Sequence, residues 1–251
     1  MPDSLLAGRS GIPVLYREVK RLLIADIQSG RVPPGGVLPN EGELARRFSV
    51  SIGTLRRAVD ELVADNILVR QQGRGTFVGK QDRERFMFQF FKIAGRDGTR
   101  EFPQVRLQAF AKSRATREEA QALALHGAPP VYRIENVLSL KGRPVIHDQI
   151  VIAASLFPGL TQCVFEQRSG TIYELYQTAF GVTVVGADER MRADIVAQPS
   201  AQLLGLLAGA PVLRIERVAL TFGDKPVEYR VSVVDTREFD YVSRMRRHEP
   251  G

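Results

Sequence analysis

Cys163 is the only cysteine among 251 residues, and tryptophan is absent. A lone thiol excludes an internal disulfide, so the chain must be held together by its own packing, and such cysteine usage fits a reducing compartment. Histidine is almost as scarce. His126, His147 and His248 are scattered, with no cysteine partners at zinc spacing, so no metal site is expected. No apolar run approaches the roughly 20 residues that a membrane-spanning helix needs. The opening MPDSLLAGRSGIPV lacks the charged-then-apolar order of a secretory leader. A cytoplasmic location is therefore expected. G-x-S-x-G, phosphate-loop and H-E-x-x-H motifs are missing too, as is a Cys-His pair. That argues against several enzyme classes and against a resident cofactor, without excluding a lyase.

Hydrophobic residues make up 44% of the chain, enough for one large or two ordinary domains. The net charge is +7, which suits a nucleic-acid partner without proving one. It is denser in the first third: residues 1–80 hold 12 Lys and Arg against 8 Asp and Glu.

That first third carries the sharpest pattern. Leu15, Val19, Leu22, Leu23 and Ile27 fall at helical spacing, predicting a helix from about Val14 to Ser29, ended by Gly30 and the Pro33-Pro34-Gly35-Gly36 run. Asn40 and Glu43 form a capping-box pair for a second helix, with Leu44, Ala45 and Phe48 as its dry side. Gly42 inside it should cost up to ~1 kcal/mol relative to alanine. Ser49-Val50 turns the chain and Ser51 caps a third helix. Its seam is Leu55, Ala58, Val59, Leu62 and Val63, and its other face is Ser51, Gly53, Thr54, Arg56 and Arg57. A dry seam opposite an Arg/Ser/Thr face is what a recognition helix needs in the major groove. Ile67–Arg70 and Thr76–Val78 then read as two strands about Gln71–Gly75. Arg74 at that tip suits a phosphate or the minor groove. Gly73-x-Gly75 is not a dinucleotide fingerprint, because a strand follows it rather than a helix.

The segments PVLYREV, LPNEGELARRFSVS, TLRRAVDEL and QQGRGTFV resemble the winged helix-turn-helix domain of GntR-type bacterial transcription regulators over Ile12 to Gly79. The resemblance implies operator contacts at the start of the second helix, where Asn40 stands, and at Ser51, Thr54, Arg56 and Gly73, with Arg46 and Arg47 on phosphates. Ile52, Gly53 and Arg74 complete the expected DNA-facing set. This chain has Gly42 and Ile52 where the family often has arginines, so a common guanine contact is missing, and Ile52 suits a thymine methyl instead.

Gly79–Phe86, GKQDRERF, is polar, and residues 80–86 read as a linker. The run Phe86-Met-Phe88-Gln-Phe90-Phe91 alternates as a strand would. Interleaved aromatics can stack bases, but the alternation favours a core or a dimer edge. Beyond it lies a duplication. PVYRIENVLSLKGRPV at Pro130–Val145 returns as PVLRIERVALTFGDKPV at Pro211–Val227. Each copy alternates around a glycine turn, hence a β-hairpin, and each follows a short helix, Glu118–His126 or Ser200–Ala208. Thr171 and Glu174 cap a further helix that ends at Gly181, and Val182–Val196 reads as a long strand. The expected class is α+β with a largely antiparallel sheet.

FPGL at Phe157–Leu160, GTIYELY at Gly170–Tyr176, PVLRIERVA at Pro211–Ala219 and KPVEYRVSVV at Lys225–Val234 resemble the effector-binding UTRA domain of the HutC subfamily of GntR regulators. The resemblance implies a domain over residues 87–246 with a chorismate-lyase-like fold, a small-molecule effector and a homodimer. The function it implies is a repressor whose operator binding is modulated by that effector; a repressor and an activator are not separable at this level. The lyase likeness leaves an enzymatic reading open, which the recognition helix and wing weigh against. Phosphosugar-sensing relatives place arginines where this chain has Asn136 and Leu138, so a phosphosugar effector is not expected. Thr171, at a helix N-terminus, and Glu228 are the first effector-binding candidates, followed by Arg96, His147 and Arg230. A lone strand histidine such as His147 is more often just packed.

Overall fold

The computed structural model describes residues 12–243. The basic tail with Arg244, Arg246 and Arg247, and the expected domain end at 246, lie outside them. Helix α1 (Ile12–Gln28) buries Tyr16, Val19, Leu23 and Ile27. It packs on α3 (Ile52–Ala64) through Leu55, Ala58, Val59 and Leu62, while Leu44, Ala45 and Phe48 of α2 (Glu41–Phe48) close the same core. The caps form as expected. Asn40 Oδ1 accepts from the Glu43 amide at 2.9 Å and Glu43 returns the bond to the Asn40 amide at 3.3 Å. The Ser51 hydroxyl accepts from the Thr54 amide at 3.2 Å. Strands β1 (Leu68–Gln71) and β2 (Gly75–Val78) make the wing, with Gly73 at φ +71° in its turn, where a side chain would be strained.

The polar segment that follows is not a free tether. Gln81 is 1% exposed, and α4 (Arg83–Arg85) runs directly into a π-helical turn over Phe86–Phe90. The strand expected for the aromatic run is therefore corrected. The Phe91 amide donates to the Phe86 carbonyl at 2.9 Å, and this wide turn lets Phe86, Phe90 and Phe91 all enter one core. In a strand they could not share a side, because the period is two. Phe86 and Phe90 meet the Tyr173 ring edge-on at 5.9 and 4.9 Å.

The second half is built on a sheet of six antiparallel strands in the order β4-β5-β6-β9-β8-β7. Its elements in chain order are β3 (Ile93–Gly95), β4 (Gln104–Arg114), α5 (Arg117–Ala122), β5 (Pro130–Leu140), β6 (Arg143–Ala153), α6 (Gln162–Glu166), α7 (Ile172–Phe180), β7 (Gly186–Ile195), α8 (Ser200–Leu204), β8 (Pro211–Thr221), β9 (Lys225–Val234) and β10 (Phe239–Tyr241). The short strands β3 and β10 pair apart from the main sheet. The duplicated hairpins join through β6 and β9. Each repeat also carries an outer strand, β4 or β7, that the sequence comparison did not include. The strand expected from Val182 begins only at Gly186, and Val184 before it is buried.

Helix α7 and the π-turn cover one face of the sheet with the large aromatic core around Phe157, Phe165, Tyr173 and Tyr176. Helices α5 and α8 cover the other. The halves touch: Phe222, in the β8–β9 turn, is 6% exposed and belongs to the apolar cluster of α1–α3. No helix among the described residues is long and apolar enough to cross a membrane.

Candidate functional site

Two sites emerge, one on each half. On the first, the Ser51 cap holds the start of α3 open to solvent. Ile52 is 47% exposed, and a side chain on Gly53 beside it would meet only the Ser51 hydroxyl, at 3.9 Å. The Thr54 hydroxyl lies 2.9 Å from the Ser51 hydroxyl. Arg56 is exposed and donates through Nε to Glu41 at 2.6 Å, bridging α3 to the first turn of α2. Arg46 is exposed, as are Gly73 and Arg74 at the wing tip. These groups lie along the start of α3, the outer side of α2 and the wing.

Arg47, expected on a phosphate, is also engaged within the domain. Its guanidinium lies 2.6 Å from the buried carboxylate of Asp26 and 4.9 Å from the Phe48 ring centroid. Arg31 pairs with the same carboxylate. The two guanidinium groups neutralise an acid in the helix core, and the Arg47 side chain remains 41% exposed. Arg57 was not among the expected contacts; it stacks on Tyr16 at 4.0 Å.

The second site is a cavity of about 450 Å³ between the sheet and the α6–α7 connection. Its floor is β5 and β6, its far wall runs from Glu166 to Ile172, and Arg83 and Phe86 close it from the interdomain segment. Thr171 and Arg230 line it, as expected. The Thr171 hydroxyl is already committed, accepting from the Glu174 amide at 3.0 Å and donating to the Gln81 carbonyl at 3.4 Å. Glu228 sits behind the wall, fully buried. It accepts from Tyr173 at 3.1 Å, Tyr176 at 2.8 Å and Arg230 Nε at 2.9 Å. Burial and the Glu228 charge push the Tyr173 hydroxyl up to about 12, so it stays a proton donor to that carboxylate. Burial alone would lower the Arg230 guanidinium, but Glu228 and Asp148 outweigh it and hold it above the ordinary arginine value.

The structure does not bring the other two effector candidates here. Arg96 is exposed beside β10, donating to the Thr236 carbonyl at 3.3 Å and facing Asp240. His147 is fully buried on the opposite face of the sheet, with Nδ1 2.9 Å from the Ser200 hydroxyl of α8. Alternation along β6 explains this: Asp148 and Ile150 face the cavity, so His147 cannot.

Asp148 and Arg168 escaped the sequence reading, while Asn136 and Leu138, which the family resemblance placed at effector positions, do line the cavity. Asp148 bonds Arg230 Nη1 at 3.0 Å and the Ser232 hydroxyl at 2.5 Å. Its one visible signal was a carboxylate inside the apolar run VIHDQIVIA. Asn136, directly opposite Asp148 in the β5–β6 register, is 3% exposed, and its Oδ1 has no hydrogen-bond partner among the described residues. Arg168 is half-buried with Nε shielded and unpartnered. Desolvation, aided by the like charge of Arg230, lowers its pKa, and no carboxylate pairs with it among the described residues. Nothing in the local sequence around Arg168 announces a pocket, and Asn136 was reached only through the family resemblance.

The same two halves emerge from comparison with known proteins. Residues 15–78 match the gntR family of bacterial regulatory proteins, and residues 100–240 match the UTRA domain. The "Probable fructoselysine utilization operon transcriptional repressor" of Escherichia coli K12 is 31% identical over 221 residues, which cover 85% of this chain and 87% of the relative. The "HTH-type transcriptional repressor NagR" of Bacillus subtilis is 27% identical over 240 residues, covering 95% and 97%. Among solved structures, the ligand-binding domain of a GntR-family regulator from Bordetella bronchiseptica superposes with a TM-score of 0.60 at 30% identity, covering 63% of this chain and 98% of that one. YydK of Bacillus subtilis shares the fold over 92% of this chain and 99% of its own, at a TM-score of 0.54 and 18% identity. With a winged helix-turn-helix of this make joined to a UTRA domain, the chain belongs to the GntR family of DNA-binding bacterial transcription regulators.

Proposed function

We propose that this protein is a ligand-responsive repressor. Its domain over residues 12–79 reads operator DNA, the segment 80–86 connects, and the domain over 87–246 binds a small molecule. The observation that carries the effector half is the cavity itself: half-open, lined by apolar and polar groups, and holding an unpaired guanidinium at Arg168 and an unsatisfied amide oxygen at Asn136. Polar groups held away from water without partners are costly, and a ligand supplies those partners.

For the DNA half, Asn40, Ser51, Ile52, Gly53, Thr54, Arg56, Gly73 and Arg74 form the reading face, with Arg46 on phosphate. Arg47, whose side chain is 41% exposed beside Asp26, stands next to it as a second phosphate contact. Thr171 and Arg230 serve the effector directly, and Glu228 through Arg230. Arg96 and His147 stand outside it. Without arginines at 136 and 138, the sheet offers a phosphosugar little, so a non-phosphosugar effector fits better. The protein acts in the cytoplasm as a homodimer on a palindromic operator, with recognition helices about one DNA turn apart.

The test pairs operator footprinting over a salt series with a thermal-shift screen of sugars, amino acids and organic acids. Stabilising compounds should release operator DNA, and operator affinity should fall steeply with salt. Hits that stabilise without changing operator occupancy would refute the effector reading. Stabilisation by phosphosugars alone would refute the chemistry assigned to 136 and 138.

A further inference from the structure

The lining of the cavity divides by chain segment into two chemically opposite groups. One lies on the sheet, where Asn136 and Asp148 face each other across β5 and β6. The Asn136 oxygen is an acceptor without a donor among the described residues. The Asp148 and Glu228 carboxyl groups share the one guanidinium of Arg230, which bonds both. This group wants a hydrogen-bond donor and tolerates a cation.

The other group lies on the α6–α7 connection and α4, where Arg168 has no carboxylate partner among the described residues. Its guanidinium lies 4.0 Å from the Phe165 ring centroid, and it donates to the Phe165 carbonyl. The second positive charge comes from outside the sheet domain. Arg83, on α4 of the interdomain segment, lines the same cavity with its guanidinium 4.6 Å from the Phe102 ring centroid. It has no carboxylate partner among the described residues. This second group wants an anion. Glu166 on the same wall opposes a dianion, so one negative charge fits better than two.

Resting on the effector reading of this cavity, we propose that the ligand is an amino-carboxylate. Its carboxylate is bracketed by Arg168 and Arg83, and its ammonium is received by Asn136 and Asp148. Arg83 is then a specificity-determining residue supplied by the connection to the DNA-reading domain. The segment is already tied to the cavity wall, because the Gln81 amide is bonded by Gln177 and its carbonyl by Thr171. A carboxylate on Arg83 adds an ionic tie between the ligand and the path to the wing.

The probes are L-ornithine, 1,4-diaminobutane (the same chain without the carboxylate), pentanoate (without the amines) and O-phosphoethanolamine (phosphate in place of carboxylate). Binding is measured on the full chain by calorimetry. Ornithine should bind at least about tenfold more tightly than the other three, the effect of one charge-assisted hydrogen bond or more. Arg83→Met should weaken ornithine about tenfold while leaving 1,4-diaminobutane unaffected, and Arg83→Lys should restore most of the loss. Asn136→Leu should bring ornithine toward the affinity of pentanoate.

Equal binding of ornithine and 1,4-diaminobutane, preference for the phosphate, an Arg83→Met variant that binds ornithine normally, or no binding of any probe each overturns the proposal. Arg168→Met separates this failure from that of the effector reading. If compounds from the thermal-shift screen lose their effect in that variant, the cavity remains the effector site whatever ornithine does. If they keep it, the cavity is not the site.

Discussion

Replacing Phe222 by alanine tests how the halves are held together. The ring rises from the β8–β9 turn of the UTRA domain into the core of α1–α3 and is 6% exposed. A phenylalanine buried this far hides roughly 200 Å² of apolar surface, or ~5 kcal/mol at ~25 cal/mol per Å². Measured losses for such truncations run about 3–5 kcal/mol once the cavity left behind is included. The helices keep their own core of Leu23, Leu55, Leu62 and neighbours, so the loss falls on docking between domains rather than on either fold. About 3 kcal/mol shifts a docking equilibrium by about 150-fold. Calorimetry of Phe222→Ala should therefore separate one unfolding event into two, and trypsin should cut faster at Lys80 and Arg83, the exposed basic residues of the connection. A single transition with unchanged cleavage would refute the claim that Phe222 docks the domains.

Arg56→Ala should weaken operator binding strongly and Ile52→Arg should change sequence preference, both read by footprinting; unaltered footprints and affinities in both would sink the docking of α3. The cost of taking Arg56 from Glu41 is small, because exposed pairs are worth about 0–1 kcal/mol. Glu228→Gln leaves Arg230 paired with Asp148 but replaces an acceptor of the Tyr173, Tyr176 and Arg230 hydrogen bonds by an amide donor, which should destabilise the UTRA domain by about 1.5–3 kcal/mol in urea titration; an unchanged or higher midpoint would show that Asp148 alone suffices. Burial raises the Glu189 carboxyl, but Arg217 and the Tyr241 hydroxyl outweigh it and hold it below the ordinary value. A depressed folded pKa stabilises above the unfolded value near 4.3 and loses that stabilisation as pH falls through the folded one. The melting temperature should thus fall less steeply below about pH 5 in Glu189→Gln than in the parent chain; parallel curves would contradict this.

The DNA-reading half was legible because its signals are local. Caps at Asn40 and Ser51, seams at helical spacing and a glycine turn at the wing all act within a few residues, and each formed where the pattern placed it. The ion pair of Arg47 was not legible, since its partner Asp26 lies 21 residues away on another helix. The paired hairpins were legible through their duplication. The cavity was not, because it is a property of the folded sheet: Asn136, Asp148, Arg168 and Arg83 meet only after β5, β6, the α6–α7 connection and α4 are in place. The aromatic run misled by alternating like a strand, while its residues reach one core through a π-turn.

The connections between the cavity and the DNA-reading half differ in kind. One is polar: the Gln81 amide accepted by Gln177 at 3.0 Å, the Gln81 side chain donating to Val184 at 2.6 Å, and Gln177 donating to the Gly79 carbonyl at 3.2 Å. The other is apolar: β9 carries Glu228 and Arg230 at the cavity, and the turn that begins it carries Phe222 into the helices. Net hydrogen bonds contribute about 1 kcal/mol each, against about 3–5 kcal/mol for the ring. The ring therefore supplies a docking energy comparable with that of these hydrogen bonds together. The hydrogen bonds are directional, and each needs its partner within a few tenths of an ångström. They fix the angle at which the connection leaves the cavity wall. A ligand that moves the wall at Thr171 disturbs these bonds first, at a cost small enough for binding energy to meet, while the ring still keeps the domains together.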